Sequence, residues 1–211
     1  MRDSAAEVRS LIRVVADDRG LPQSARREAE RLLPLVASEP GLVLARLESL
    51  RAKVLADLPM RPPASDYARC VSVETFWRFH VDENARGLFR HHVGYQQHLE
   101  SAKDPSRTAR RHLSGAVLVP APHSWLVPAG RLAGLNGKRL RSLLQFEQTP
   151  PYLVMVFPVD RMLAAGVRVR EPRGIDAVPK RFTRWAPGDV PEERIDENIP
   201  LSALGSLQWR P

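Results

Sequence analysis

The chain reads as an α+β protein: an N-terminal three-helix segment followed by a mixed or antiparallel sheet domain with short helices. Three observations predict this. Apolar residues recur at helical spacing through the first 58 positions. Residues 59–65 (PMRPPAS) then place three prolines in seven positions, which stops a helix and stiffens a connection. Beyond them come short apolar runs set off by turn residues, as strands are. The expected organisation is a helical segment over 1–60, a proline-rich linker over 61–66 and a basic α+β domain over 67–211.

In the first segment Ser4 and Glu7 have capping-box spacing, and Val8, Leu11, Ile12 and Val15 fall on one helical face before Gly20. A second helix from Ser24 points Ala25, Ala29, Leu32, Leu33 and Val36 inward, with Pro34 near its end. A third starts after Ser38, tolerates Pro40 in its first turn and carries Val43, Leu47, Leu50, Val54 and Leu58 as a near-heptad stripe. With ten basic residues against nine acidic ones over 1–60, this bundle is suited to packing, to a protein partner or to self-association.

After the linker, Tyr67–Val73 reads as a short strand. Thr75–Val81 alternates as a second strand would, although Val73, Phe76, Trp77, His80 and Val81 also fit a helix. DENARG (82–87) reads as a turn, and LFRHHVGYQQHLE extends a hairpin or begins a helix. SAKDPSRTARR (101–111) is polar and aperiodic, which predicts an exposed loop. GAVLVP (115–120) and SWLVP (124–128) are strands, KRLRSLLQFE (138–147) a helix, and YLVMVF (152–157) a central strand. A helical turn over Asp160–Ala165 ends at Gly166. VRVRE (167–171), RFTRW (181–185), ERIDENIP (193–200) and SLQW (206–209) complete the strands.

Charge is concentrated in one place. The formal net charge is +8, and residues 86–142 supply all of it with ten Lys and Arg against Glu100 and Asp104. Five of the six histidines lie in that stretch as well. Arginine pairs with phosphate through a planar two-pronged fork, so the segment predicts a polyanion partner, nucleic acid first. The expected contacts are Arg86, Arg90, Arg107, Arg110, Arg111, Lys138, Arg139 and Arg141. Phe76, Trp77, Phe79, Phe89 and Tyr95 interleave with Arg78, Arg90, Arg110 and Arg111, which would suit base stacking, although most of so small an aromatic set belongs in a core. An acidic protein partner would satisfy the same charges.

Cleavage of RNA needs only a proton shuttle near neutral pH and a cation beside the phosphate. That makes His80, His91, His92 and His112, lying among Arg78, Arg90, Arg110 and Arg111, candidate acid–base groups, with His91, His92 and His112 the preferred set. This would be the chemistry of an RNA-cleaving effector or toxin. His91, His92 and His98 lack metal-ligand spacing, and a single cysteine, Cys70, excludes a cysteine-based zinc cluster and an internal disulfide. No metal is expected, and no cofactor. The longest apolar run is far shorter than the roughly 20 residues that cross a bilayer, and MRDSAAEV lacks a signal-peptide hydrophobic region. A cytoplasmic protein with no membrane partner is expected, and export through a machine that reads no cleavable signal fits the same residues.

A second reading comes from family resemblance. Arg78 on an early strand, Ser114 in a central hydroxyl segment and the acidic pair Glu192, Glu193 ahead of a late strand are similar in order to the Arg, Ser, Glu pattern of ADP-ribosyltransferase-like toxin domains. The resemblance covers residues 67–211 and lacks the family's Ser-Thr-Ser run. It implies NAD as cofactor, held in part by Arg78, with Glu193 positioning the acceptor.

Overall fold

The structure, a computed structural model, describes residues 4–115, 117–119, 124–144, 146, 148–178, 193–195 and 197–211. The chain divides into two units, one of residues 1–59 and 171–186, the other of residues 60–170 and 187–211.

In the first unit, α1 (Ser4–Asp17), α2 (Gln23–Glu30) and α3 (Pro40–Asp57) are joined by short connections, one of them a 3-10 turn over Leu33–Leu35. Most of the predicted stripe residues are the core: Val8, Ile12 and Val15 from α1, Ala25 and Ala29 from α2, and Val43, Leu47, Leu50 and Val54 from α3 are buried. Leu33, expected to point inward, is instead exposed in the 3-10 turn, where the helical face of α2 no longer continues. Burying each large aliphatic side chain contributes about 1.5–3 kcal/mol, so this stripe outweighs any local propensity. α2 begins one residue before Ser24, behind Pro22. Residues 171–178 pack with these helices, and Ile175 and Val178 join their core. The 3-10 turn Gly174–Ala177 approaches α1 so closely that a Cβ at Gly174 would collide with the Val14 carbonyl, so glycine is required there.

The second unit is built on an antiparallel five-stranded sheet ordered β5-β3-β1-β4-β7, with β1 (Tyr67–Ser72) in the middle. β3 is Ser124–Pro128, β4 Tyr152–Phe157, β5 Glu193–Ile195 and β7 Ser206–Arg210. β2 (Val117–Val119) and β6 (Ile199–Pro200) pair separately. Successive strand residues point to opposite faces. On one face Tyr67, Val71, Leu153, Met155, Phe157 and Leu207 pack against helices α4 (Val73–His80), α6 (His92–Ser101), α7 (Pro105–Arg111) and α9 (Val159–Ala164). On the other, Ala68, Val127, Tyr152 and Val154 pack against α8 (Gly137–Leu144) through Leu140 and Leu144.

Several predicted elements differ. Thr75–Val81 is not a strand: Ser72 Oγ accepts from the Thr75 backbone N–H at 3.1 Å, and the capped chain enters α4 with Val73, Phe76 and His80 buried. The same residues satisfy both periods, and the cap decides between them. The 82–87 turn is the start of α5 (Glu83–Leu88), opened by Asp82 Oδ1 accepting from Asn84 N–H at 2.7 Å. The loop expected over 101–111 contains α7, where Asp104 Oδ1 caps Arg107 N–H at 3.0 Å and Pro105 occupies the first turn. Seven residues make barely two turns and bury only Ala109, too little for a visible stripe. Residues 167–171 form only two isolated bridges, Val169 with Arg61 and Arg170 with Arg194. RFTRW (181–185) lies outside the described residues.

Candidate functional site

Three of the short helices bring four rings together. Phe89 closes α5, Tyr95 and His98 stand one turn apart on α6, and His112 caps the C-terminus of α7. The His98 and His112 imidazole centroids are 5.8 Å apart at a steep angle, Phe89 lies 4.6 Å from His98, and Tyr95 lies 5.8 Å from His112. Tyr95 is the buried floor of the cluster. Its hydroxyl has no hydrogen-bond partner among the described residues, and burial raises its pKa. The two imidazoles and Phe89 stay partly exposed.

Backbone contacts fix this cluster. The His112 carbonyl accepts from Asp82 N–H at 2.8 Å, and Ser114 N–H donates to the His80 carbonyl at 3.1 Å, so the exits of α4 and α7 are tied side by side. The His112 pKa is lowered from the ordinary 6.5, first by burial, then by the His98 ring and Arg111, against an upward pull from Asp82. A histidine held neutral can accept a proton near neutral pH.

Of the three preferred acid–base histidines, His112 belongs to this cluster. His91 is exposed at the N-cap of α6 without making a cap hydrogen bond, and His92 is the first helical residue behind it. The ring that faces His112 is His98, which sequence reasoning considers only as a metal ligand. The signal was available: Tyr95 and His98 are an i, i+3 pair, and a helix over 105–111 delivers His112 beside them.

The predicted basic contacts separate into groups. α7, with Arg107, Arg110 and Arg111, and α8, with Lys138, Arg139 and Arg141, pack on opposite faces of the sheet. Their N-termini nevertheless meet the same end of β7: Ser106 Oγ accepts from Trp209 N–H at 2.9 Å, and Gly137 N–H donates to the Pro211 carbonyl at 2.7 Å. A Cβ at Gly137 would fall 2.5 Å from both that oxygen and Pro150 Cβ. Three of the arginines have structural duties. Arg110 donates to the Gly205 carbonyl at 3.1 Å, Arg141 to the Phe146 carbonyl at 3.3 Å, and Arg86 to the Arg78 carbonyl at 3.5 Å. Arg90, Arg107, Arg111, Lys138 and Arg139 are exposed, with no side-chain hydrogen bond or ion pair among the described residues.

Arg78 lies on α4 rather than on a strand, exposed, with its guanidinium 5.9 Å from the Phe79 ring. Glu193 is buried on β5 and forms an ion pair with Arg61. Ser114 is partly buried next to the α7 exit, and Glu192 lies outside the described residues.

Sequence reasoning also missed a buried cationic group in the sheet. Arg194 on β5 and Arg170 bridge through their backbones and are almost wholly inaccessible, and Arg194 stacks over Trp125 at 5.0 Å. Arg69 on β1 is pushed down to about 10, by burial and then by Arg194. His80, 2% exposed, is pushed down to about 4, by burial and then by Arg69, against the Leu118 backbone. Arg69 stands between apolar neighbours in YARCVS, which was the available hint of a charge drawn inward.

No group of three or more His, Cys, Asp and Glu side chains among the described residues could hold a metal ion. None of their helices is long and apolar enough to cross a membrane. Comparison with protein-family models, curated proteins and solved structures returned no match, so the function is argued from the chain's own residues.

Proposed function

We propose that the chain binds single-stranded RNA and cleaves it by paired-histidine acid–base catalysis, as an effector or toxin of that class would. The observation that carries the reading is the pair His98 and His112, 5.8 Å apart and partly exposed beside Phe89. The step uses only groups present in the chain and its substrate. The RNA 2′-oxygen attacks phosphorus while its proton passes to His112, held neutral by its surroundings. The bond from phosphorus to the 5′-oxygen breaks, and His98 supplies the proton that the leaving oxygen takes. The products are a 2′,3′-cyclic phosphate and a 5′-hydroxyl, with nothing oxidised or reduced. Phe89 offers a face on which a base can stack, and Arg90 and Arg111 supply charge for the phosphates.

The test is cleavage of a single-stranded RNA beside the DNA of the same sequence, which lacks the attacking hydroxyl. RNA alone should be cut, and His112→Ala or His98→Ala should each slow the reaction by about 10²- to 10⁴-fold. Retention of both nucleic acids with cleavage of neither would reduce the function to polyanion binding. Failure to retain either one at low salt would end the proposal and assign the basic excess to an acidic protein partner. NAD consumption lost on Glu193→Gln would instead support the ADP-ribosyltransferase-like reading.

A further inference from the structure

A cavity of about 410 Å³ opens at the end of β7, lined by Glu100, Pro150, Pro151, Trp209 and Pro211. Its size is in the range of small-molecule sites. Its walls combine two kinds of group. Trp209 and the prolines offer flat apolar surface, and Glu100 offers a carboxylate whose Oε1 is held by Gln96 Nε2 at 2.8 Å. The N-termini of α7 and α8 meet this end of β7 through Ser106 and Gly137, and the exposed Arg107, Lys138 and Arg139 follow within the first turns of those helices. A ligand that fits must be planar, must donate hydrogen bonds to a carboxylate and must carry negative charge outside the cavity. Those properties belong to a nucleotide. Among the four bases guanine presents two adjacent N–H donors, N1–H and the 2-amino group, matched to the two oxygens of one carboxylate.

We infer that this cavity is a guanine-binding subsite for RNA, the base lying against Trp209 with its N–H edge on Glu100 and its phosphates toward Arg107, Lys138 and Arg139. The inference rests on the RNA reading proposed above and names the base that the site selects. Ser106 and His112 are six residues apart on and just beyond α7, about 9 Å at 1.5 Å per residue. Ser106 accepts from the backbone N–H of the cavity residue Trp209, so the length of α7 links the cavity to the His112 end of the cluster.

Trp209 provides the readout. Titration of the full chain with guanosine 5′-monophosphate should change tryptophan emission to saturation, and Trp209→Phe should remove that change. Inosine 5′-monophosphate, which lacks the 2-amino group, and uridine 5′-monophosphate should bind at least ten-fold more weakly, in line with the discrimination of a two-pronged base contact. Inorganic phosphate should leave the emission unchanged. Glu100→Gln should weaken guanosine 5′-monophosphate by a similar factor and erase its advantage over inosine 5′-monophosphate. Equal binding of the guanine and uracil nucleotides, or a guanine preference that survives Glu100→Gln, would overturn the subsite. Guanine-selective binding by a chain that cuts no RNA would leave the subsite standing and remove the cleavage reading, whereas unselective cutting with no nucleotide preference would do the reverse.

Discussion

α1 and α3 are held by what they bury, whereas α4, α5 and α7 are set by how they begin. α3 runs 18 residues and places Val43, Leu47, Leu50 and Val54 in a continuous core stripe. α5 and α7 have six and seven residues and bury one alanine each, and both start from an aspartate whose carboxylate accepts a backbone N–H. Long helices commit their side chains to the core. Short capped helices leave most of theirs outward, and they carry Phe89, His112 and the exposed arginines.

The contrast can be broken first at Leu47, which is fully buried. Leu47→Ala should destabilise the N-terminal unit by about 2–5 kcal/mol, measured by urea denaturation, because the cavity adds to the lost transfer energy. It should leave RNA cleavage by the folded protein unaltered.

His80 sharpens the comparison, since α4 ends in a buried titratable group and α3 in none. Folding lowers its pKa from 6.5 to about 4, so between those values the unfolded chain binds the extra proton. Stability should therefore be intact above pH 6.5 and fall as pH drops through the window, by about 3 kcal/mol in total, at roughly 1.4 kcal/mol per pH unit. Urea midpoints at pH 7 and pH 4 should show the loss, and His80→Gln should flatten it; equal pH dependence in both proteins would refute the assignment.

Asp104→Ala removes the α7 cap and should cost about 1 kcal/mol, within the usual 0.5–2 range. RNA cleavage should fall further than that stability loss explains, since the cap holds the helix that ends in His112. A cleavage rate that merely tracks the folded fraction would separate α7 from the site.

The smallest effects on stability are expected from the charge triplets. Replacing Arg107, Arg110 and Arg111, or Lys138, Arg139 and Arg141, with Gln should change folding by less than about 1 kcal/mol, as exposed charges do. Each replacement should lower the salt slope of RNA retention by about 0.7 for every phosphate that is no longer neutralised. The effects of the two triplets should not add fully, because Arg107, Lys138 and Arg139 flank the same end of β7 and would share phosphates there. Arg110 and Arg141 are the residues to watch, each having a carbonyl partner within the fold.

These differences also explain what was legible in the sequence. α1 and α3 can be read nearly residue for residue, because burial on one face writes a period of 3.6 into the chain. The strand Tyr152–Phe157, covered on both faces, stands out as an unbroken apolar run. The stretch from Val73 to Arg111 is less legible. Its helices are one to three turns long, its apolar residues fit either period, and Ser72, Asp82 and Asp104 direct it through single hydrogen bonds. The site follows the same rule. His112 stands out as a histidine among cations, but its pairing with His98 depends on α7, whose polar, aperiodic residues predict a loop. The inward turn of Arg69 and Arg194 has no period at all and is set by the sheet's order, β5-β3-β1.

The contact of Gly174 with Asp18 has a consequence for synthesis. Its backbone N–H reaches Asp18 Oδ2 across 156 positions of chain, and Ile175 and Val178 complete a core otherwise made by residues 8–58. When the N-terminal helices have left the ribosome, most of the chain that leads to their covering segment is still to be made. At bacterial-to-eukaryotic elongation rates this interval is on the order of ten seconds. The nascent bundle must pass that time with the ground under Ile175 and Val178 uncovered, a window in which a chaperone, or a second nascent bundle, has access to a surface that the finished protein no longer offers.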